Sequence, residues 1–418
     1  MAKRLRSLGD LRSAAQEDTN ASSRCANERQ HEKDTAVCCA QLLSDSPPSS
    51  RSNSSPSSSE DGGDVPRSVL DTVLLAKWET CFAAGLFRYD VTACPTRLLG
   101  GVYGFVAQLN EGRAHKKRPS QVALDAVLQP FDPTKFNFTK ADATEVLFQF
   151  QPTPAGRRGK AKRLGGGAYS DAAPLAEDPN LVLINVSPIE YGHVLLVPRT
   201  LSLLPQRLSC DLVLQALQFC AEADNPYFRV GYNSLGAYAT VNHCHFQAYY
   251  LNAPFPMERA PTAVLHGRHA SAGFKGVNLR SLKKYPLHAL VFECTSRLGD
   301  LALAVGAAVE ALQARNVPFN VLVVDRGARC FVVPQRFAAR VAAGLVPADL
   351  LETGINPAVF ECAGHLLYKR RCDYDEASQA AAWLLLSEAS VSDDEFDALL
   401  DAMLATAGEE LQQEQISE

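Results

Sequence analysis

The chain has 418 residues, 46% of them hydrophobic and 21% charged, with 41 basic against 46 acidic side chains and a formal net charge of −5. These proportions are those of an ordinary globular protein and exclude a collagen, a long coiled coil and a chain disordered throughout. The near-neutral balance lacks the basic excess of a dedicated nucleic-acid binder, and no apolar run reaches the roughly 18–20 residues that span a bilayer.

The N-terminus does not read as a signal peptide. Residues 1–65 read instead as a disordered leader: ten of the sixteen residues 44–59 are serine, interleaved with Pro47, Pro48 and Pro56. Such a stretch has too little apolar surface to offset the entropy of ordering it. Lys3, Arg4 and Arg6 have the flavour of an organelle address, but Asp10, Glu17 and Asp18 are out of place in a transit peptide.

Order begins near Val65. Val69, Leu70, Val73, Leu74, Trp78 and Phe82 recur at helical spacing and predict an amphipathic helix over Ser68–Leu86. Strands are expected at Gly101–Gln108 and Glu145–Phe150. Residues 152–176, with the basic run Gly156–Arg163 and then Gly165–Gly167, read as a long mobile surface loop. A nuclear-import address is the alternative reading of that basic run, giving a nuclear pool beside the expected cytoplasmic one.

Two similar passages follow. Strands are expected at Leu181–Val186, Gly192–Pro198 and Asn242–Leu251, with a helix around Leu212–Ala223 between the second and third. Later come Ala289–Glu293, Phe319–Asp325, Cys330–Pro334 and Gly364–Lys369, with a helix at Leu301–Arg315 between the first and second. The repetition points to a duplication and to an α+β class, an antiparallel sheet with helices packed on it. The expected halves are 66–255 and 256–418, closed by helices at Ser378–Leu386 and Asp393–Ala407. The twelve cysteines contain no C-x-x-C, which removes the usual spacing of zinc knuckles and redox sites. They read as reduced, mostly buried small hydrophobes.

The informative segment runs from Gly231 to Tyr250. Its second part alternates, so that on a strand His243, His245 and Gln247 share one face while Cys244, Phe246 and Ala248 share the other. Three chemistries compete for two imidazoles and a carboxamide at steps of about 7 Å. Polar side chains can merely cover a wet sheet face. Two histidines at i, i+2 can chelate a metal, but no Cys, Asp or Glu follows within Ala248–Pro254 to complete the ligand set. An imidazole nitrogen can also act as a nucleophile toward phosphorus. The turn Asn233-Ser234-Leu235-Gly236 favours this last reading, because main-chain N–H groups in a polar glycine turn bind anions.

His243-Cys-His-Phe-Gln247 resembles the His-x-His-x-Gln signature of the transferase branch of the histidine triad superfamily, whose hydrolases carry a third histidine where Gln247 stands. Gly85–Cys94, Gly101–Arg113, Lys116–Pro119, Phe136–Lys140, Asn185–Val194, Gly231–Leu251, Asn356–Val359 and Gly364–Arg370 resemble one family within it, the plant and algal GDP-L-galactose phosphorylases. The resemblance covers roughly residues 67–397. It implies two fused histidine-triad-like halves and a reaction of GDP-L-galactose with phosphate to L-galactose 1-phosphate and GDP, the committed step of plant ascorbate synthesis.

The resemblance makes His245 the nucleophile and gives Gln247 a hydrogen bond to the same phosphoryl group. That chemistry needs neutral imidazole with its other nitrogen held by an acceptor. His243 is expected to orient the nucleophile or touch a phosphate. Asn233, Ser234 and Thr240 are expected around the phosphate oxygens. Candidate cations are Arg113, Lys116, Lys117 and Arg118, with Arg199 a weaker choice. His193 is placed in the base or ribose pocket or at the cap of a strand. His365 stands where the second half would carry its own motif strand. No metal or cofactor is expected. The partners are the small-molecule substrates, with no nucleic acid and no membrane, and a homodimer is one option for the assembly. GDP-D-glucose or another nucleotide sugar is the alternative substrate, and a catalytically silent regulatory protein is the alternative of another class.

Overall fold

The computed structural model describes residues 67–116, 122–152, 177–265 and 274–417. The expected leader 1–65, residues 153–176 of the basic loop, and Lys117 and Arg118 lie outside the described residues.

The first helix, α1 (Val69–Ala83), buries Leu70, Leu74 and Trp78 of the expected stripe together with Leu75, half-buries Val73 and Phe82, and leaves Val69 exposed. Ten strands form one antiparallel sheet: β3 (Val146–Gln149), β4 (Leu181–Ile184), β5 (Val194–Val197), β6 (Phe228–Asn233), β7 (Phe246–Tyr250), β8 (Thr262–Val264), β9 (Val277–Leu282), β10 (Leu290–Cys294), β11 (Phe319–Val324) and β12 (Arg329–Pro334). Their spatial order is β3-β4-β5-β7-β6-β11-β12-β10-β9-β8, which mirrors itself about the β6–β11 pair. In each half three strands precede a helix and a two-stranded hairpin follows it. The helices are α2 (Cys210–Ala223) and α3 (Leu298–Ala314). The expected α+β class and duplication therefore take the form of two five-stranded units joined at their inner edges.

One sheet face is packed by helices. α2 turns Leu212, Val213, Ala216, Leu217, Phe219 and Cys220 inward. α3, buried along most of its length, lies against α2 and against the C-terminal helix Asp393–Ser417. Gly306 permits the crossing with α2, since a Cβ there would fall 2.9 Å from the Cα of Cys210. Alternate strand residues such as Val182, Leu196, Phe246 and Ala248 meet these helices in the core, and Cys244 joins them.

The opposite face carries a row across neighbouring strands, in which Leu183 pairs with Leu195, Leu195 with Gln247, Gln247 with Gly231, and Gly231 with Leu322. Gly231 lets the short helix α4 (Val359–Ala363) sit on the sheet, because a Cβ there would come within 2.6 Å of Val359 Cγ1.

Two expectations need correction. The motif strand starts at Phe246, not Asn242. Before Phe246 the main chain bonds to the loop after β5 instead of to a strand, with the Cys244 N–H donating to the Leu204 carbonyl at 2.7 Å. Second, Gly364–Lys369 does not supply the second half's motif strand. His365–Tyr368 forms β13, which pairs in parallel with β2 (Val106–Leu109) in a separate three-stranded sheet completed by β1 (Thr96–Leu98). The counterpart of β7 is β12, apolar after Arg329 and with no histidine or carboxamide to flag it.

Candidate active site

A cleft of about 530 Å³ opens on the sheet face opposite α2 and α3, beside α4. Leu183, Leu195 and Gln247 form part of its floor, and Phe136, Phe138, Tyr238 and Thr240 stand on its sides. Asn356, Phe360, Glu361, Tyr368 and Lys369 close it from the C-terminal half. His245, Gln247, Asn233, Thr240 and Arg113, all proposed from sequence, meet here.

His245 is almost fully buried, and its Nδ1 lies 2.8 Å from the main-chain carbonyl of His243. A carbonyl oxygen only accepts, so Nδ1 carries the proton and Nε2 keeps the lone pair. Burial pushes the His245 pKa down to about 4, against a smaller upward effect of that carbonyl bond. The ring is neutral at physiological pH, with one nitrogen held and the other available.

Gln206, which the sequence did not single out, secures this geometry. Its Oε1 accepts the His245 N–H at 3.0 Å, and its Nε2 donates to the carbonyls of Asn233 at 2.9 Å and His245 at 3.2 Å. One buried carboxamide thus ties the end of β6 to the start of β7. Its own main chain is bound at 2.9 Å to Asn242 Oδ1 and at 3.0 Å to the Tyr232 hydroxyl.

Other expected residues stand elsewhere. The His243 ring does not line the cleft. It is fully buried against Phe131 and Phe138, and its Nδ1 accepts the Phe138 N–H at 3.1 Å. The shared-face expectation fails for it because the chain bends at residues 241–243, whereas His245 directly adjoins the strand. Its pKa is lowered to about 4, first by burial and then by His245.

Ser234 is turned into the seam between the halves. Its hydroxyl accepts the Phe319 N–H at 2.9 Å and donates to the Leu235 carbonyl at 3.1 Å. It cannot at once hold this position and reach a phosphate. His193 likewise lies outside the cleft lining. It packs on Tyr249, and its Nδ1 accepts the Ile189 N–H at 2.8 Å across the β4–β5 turn, so the strand-capping role holds. Arg199 is paired with Asp211 at 2.6 Å on the surface. Lys116 ends a short helix, Glu111–Lys116, and Lys117 and Arg118 lie outside the described residues.

Among the described residues the cleft's cations are Arg113, Arg88 and Lys369. Arg113 is anchored through its guanidinium to the Ser187 carbonyl, and Lys369 through its ammonium to the Gly354 carbonyl. Burial lowers the Lys369 pKa, Glu361 opposes that shift, and Arg113 adds to it. Lys369, Glu361 and Arg113 therefore share one field at the cleft. Arg88 and Lys369 lay inside motifs quoted from the sequence, but nothing in their spacing marked them. Among the described residues no three His, Cys, Asp or Glu side chains cluster as a metal ligand set.

Two family models match successive parts of the chain: "GDPGP1-like, N-terminal domain" over residues 69–249 and "GDPGP1-like, C-terminal domain" over residues 256–410. GDP-L-galactose phosphorylase 2 of Arabidopsis thaliana is 49% identical over 333 residues, covering 79% of this chain and 75% of its own. GDP-D-glucose phosphorylase 1 of Homo sapiens is 33% identical over 357 residues, covering 83% of this chain and 86% of its own. Among solved structures, yeast Ap4A phosphorylase Apa2 in complex with Ap4A has a TM-score of 0.51 at 15% identity, over 78% of this chain and 99% of that one. At that identity the likeness carries the fold alone.

Proposed function

The chain belongs to the GDPGP1-like family, and on that premise we propose that it transfers the guanylyl group of GDP-L-galactose to inorganic phosphate, giving L-galactose 1-phosphate and GDP. The observation that carries this reading is the neutral His245 ring at the cleft, its Nδ1–H committed to the His243 carbonyl and its Nε2 lone pair retained.

In the first step Nε2 bonds to the α-phosphorus as the bridging P–O bond breaks, and the electron pair leaves with L-galactose 1-phosphate. The result is a guanylyl–histidine adduct. In the second step an oxygen of inorganic phosphate attacks that phosphorus, the P–N bond breaks, and its pair returns to Nε2. Each leaving group departs with its own electron pair, so no side chain has to act as a strong acid. Gln247 suits this chemistry, since a carboxamide donates a hydrogen bond without giving up a proton. Asn233, Thr240, Arg113 and Lys369 supply donors and positive charge toward the diphosphate.

The relatives support L-galactose as the first choice of sugar. The human relative favours a second reading, GDP-D-glucose. The proposal extends to a cytoplasmic setting in ascorbate synthesis; unchanged ascorbate after loss of the chain from its host would count against that setting. The deciding experiment incubates the protein with GDP-L-galactose, GDP-D-glucose and UDP-glucose, with and without phosphate. Phosphate-dependent GDP formation is expected, fastest from GDP-L-galactose. GMP release at the same rate without phosphate would sink the phosphorylase reading.

A further inference from the structure

The second half has no His-x-His-x-Gln of its own, yet it places a chain of buried amides against the first. Asn233, the last residue of β6, pairs in register with Asn320 of β11. Asn320 Nδ2 donates to Asn233 Oδ1 at 2.6 Å and to the Ala237 carbonyl at 3.1 Å. Asn233 Oδ1 also accepts the Val359 N–H at 2.8 Å. Behind Asn320, Gln335 Nε2 donates to Asn320 Oδ1 and, at 2.6 Å, to the Pro357 carbonyl. Asn233, Asn320 and Gln335 are all buried.

The oxygen and nitrogen of an amide are ordinarily told apart only by their hydrogen-bond partners. Here main-chain groups decide. The Val359 N–H can only donate, so the atom facing it is an oxygen. The Ala237 and Pro357 carbonyls can only accept, so the atoms facing them are nitrogens. A flipped Asn233 would oppose its NH₂ to two donors, Val359 N–H and Asn320 NH₂. The amide is held one way round, and what remains for the cleft is Nδ2 with two N–H donors.

We propose that Asn320 and Gln335 are positioning residues that lock Asn233 so that it offers N–H donors, never its carbonyl, to phosphoryl oxygens at His245. The proposal rests on the reading of the cleft as a nucleotide-phosphate site. An unlocked asparagine would spend part of its time with its carbonyl toward the anion, where it repels. A donor oriented in advance pays no such reorganisation. On this view the second half, lacking a nucleophile, still contributes to the chemistry by orienting a residue of the first.

The test is a double-mutant cycle on the full chain, read by calorimetric binding of GDP and by kcat and KM for phosphorolysis. Asn320→Asp is isosteric and replaces the donor facing Asn233 by an acceptor. Gln335→Met removes the outer donor at similar volume and keeps the cycle readable if a buried carboxylate at 320 disturbs folding. Each should weaken GDP binding, Asn320→Asp by about tenfold or more, the factor expected for one lost donor. In an Asn233→Ala background neither should weaken it further. Losses of equal size with and without Asn233, or a GDP affinity unchanged in both single variants, would overturn the lock. Wild-type protein that binds GDP but does not phosphorolyse GDP-L-galactose would sink the proposed function and leave the binding cycle as the measure of the lock.

Discussion

The His245 ring and the His243 main chain form one hydrogen-bonded pair, Nδ1–H to carbonyl, at 2.8 Å. The two motif histidines are thus coupled through the backbone of one and the side chain of the other. His245→Ala removes the proposed nucleophile and should abolish a labelled guanylyl adduct formed in the absence of phosphate. His243→Ala keeps the carbonyl, so the adduct should still form. It loses the bond to Phe138 N–H and the packing of a buried ring, which should cost roughly 2–4 kcal/mol in denaturant unfolding. No adduct in His243→Ala protein shown to be folded would contradict this division.

Gln206 offers a sharper test of preorganisation. Gln206→Leu strips partners from the buried N–H of His245 and from two carbonyls. Stability should fall by about 2–4 kcal/mol. The turnover number should fall further than the occupancy of substrate, since the reacting ring is displaced while the cleft walls stay. Gln206→Glu can still accept from His245 N–H but cannot donate when ionised. It should recover only part of the rate.

Three buried imidazoles predict a marked acid limit. Burial lowers the pKa of His243 and His245 to about 4 and that of His365 to about 3, all from an ordinary 6.5. The unfolded chain takes up these protons at higher pH than the folded one. Their contribution is therefore complete above about pH 6.5 and drains away as pH falls toward 4, by roughly 3 kcal/mol per histidine. Unfolding midpoints measured between pH 7 and 4 should show the decline. The rate per substrate encounter, measured where the fold persists, should stay level through pH 6.5; a drop centred there would contradict a neutral His245.

Gly231→Ala places a methyl group 2.6 Å from Val359 Cγ1 and 3.1 Å from the Phe360 ring. α4 must lift, and with it the Val359 N–H that bonds Asn233. The expected cost is about 1–3 kcal/mol of stability. Weaker GDP binding should accompany it; unchanged GDP affinity would show that the helix accommodates the methyl without moving its N-terminus.

The candidate site was legible where chemistry and periodicity coincided. His245 and Gln247 announce themselves by residue type, and their shared cleft follows from the period of two. His243 misled because alternation does not say where a strand begins. Pairing starts at Phe246, and that boundary is set by Gln206 and Leu204 in a distant loop. The duplication was visible in the order of strands and helices. The counterpart of the motif strand was misplaced onto His365, because β12 is apolar after Arg329 and β13 carries the eye-catching histidine. Lys369 reaches the cleft after a parallel pairing of β13 with β2, and Glu361 through the seating of α4 over Gly231, contacts between remote segments that no local pattern reports. Gln206 and Asn320 belong to the same class, ordinary amides whose roles exist only in three dimensions.

The mirrored order of the ten strands has a genetic consequence. Two identical subunits joined along the same edge would receive every substitution twice, once on each side of their axis. Linking the halves in one polypeptide frees each to diverge: Asn233 and Asn320 sit side by side near the pseudo-axis, yet one lines the cleft and the other bonds only to protein groups behind it. Division of labour between the copies is thus open to this chain in a way that it is closed to a symmetric pair.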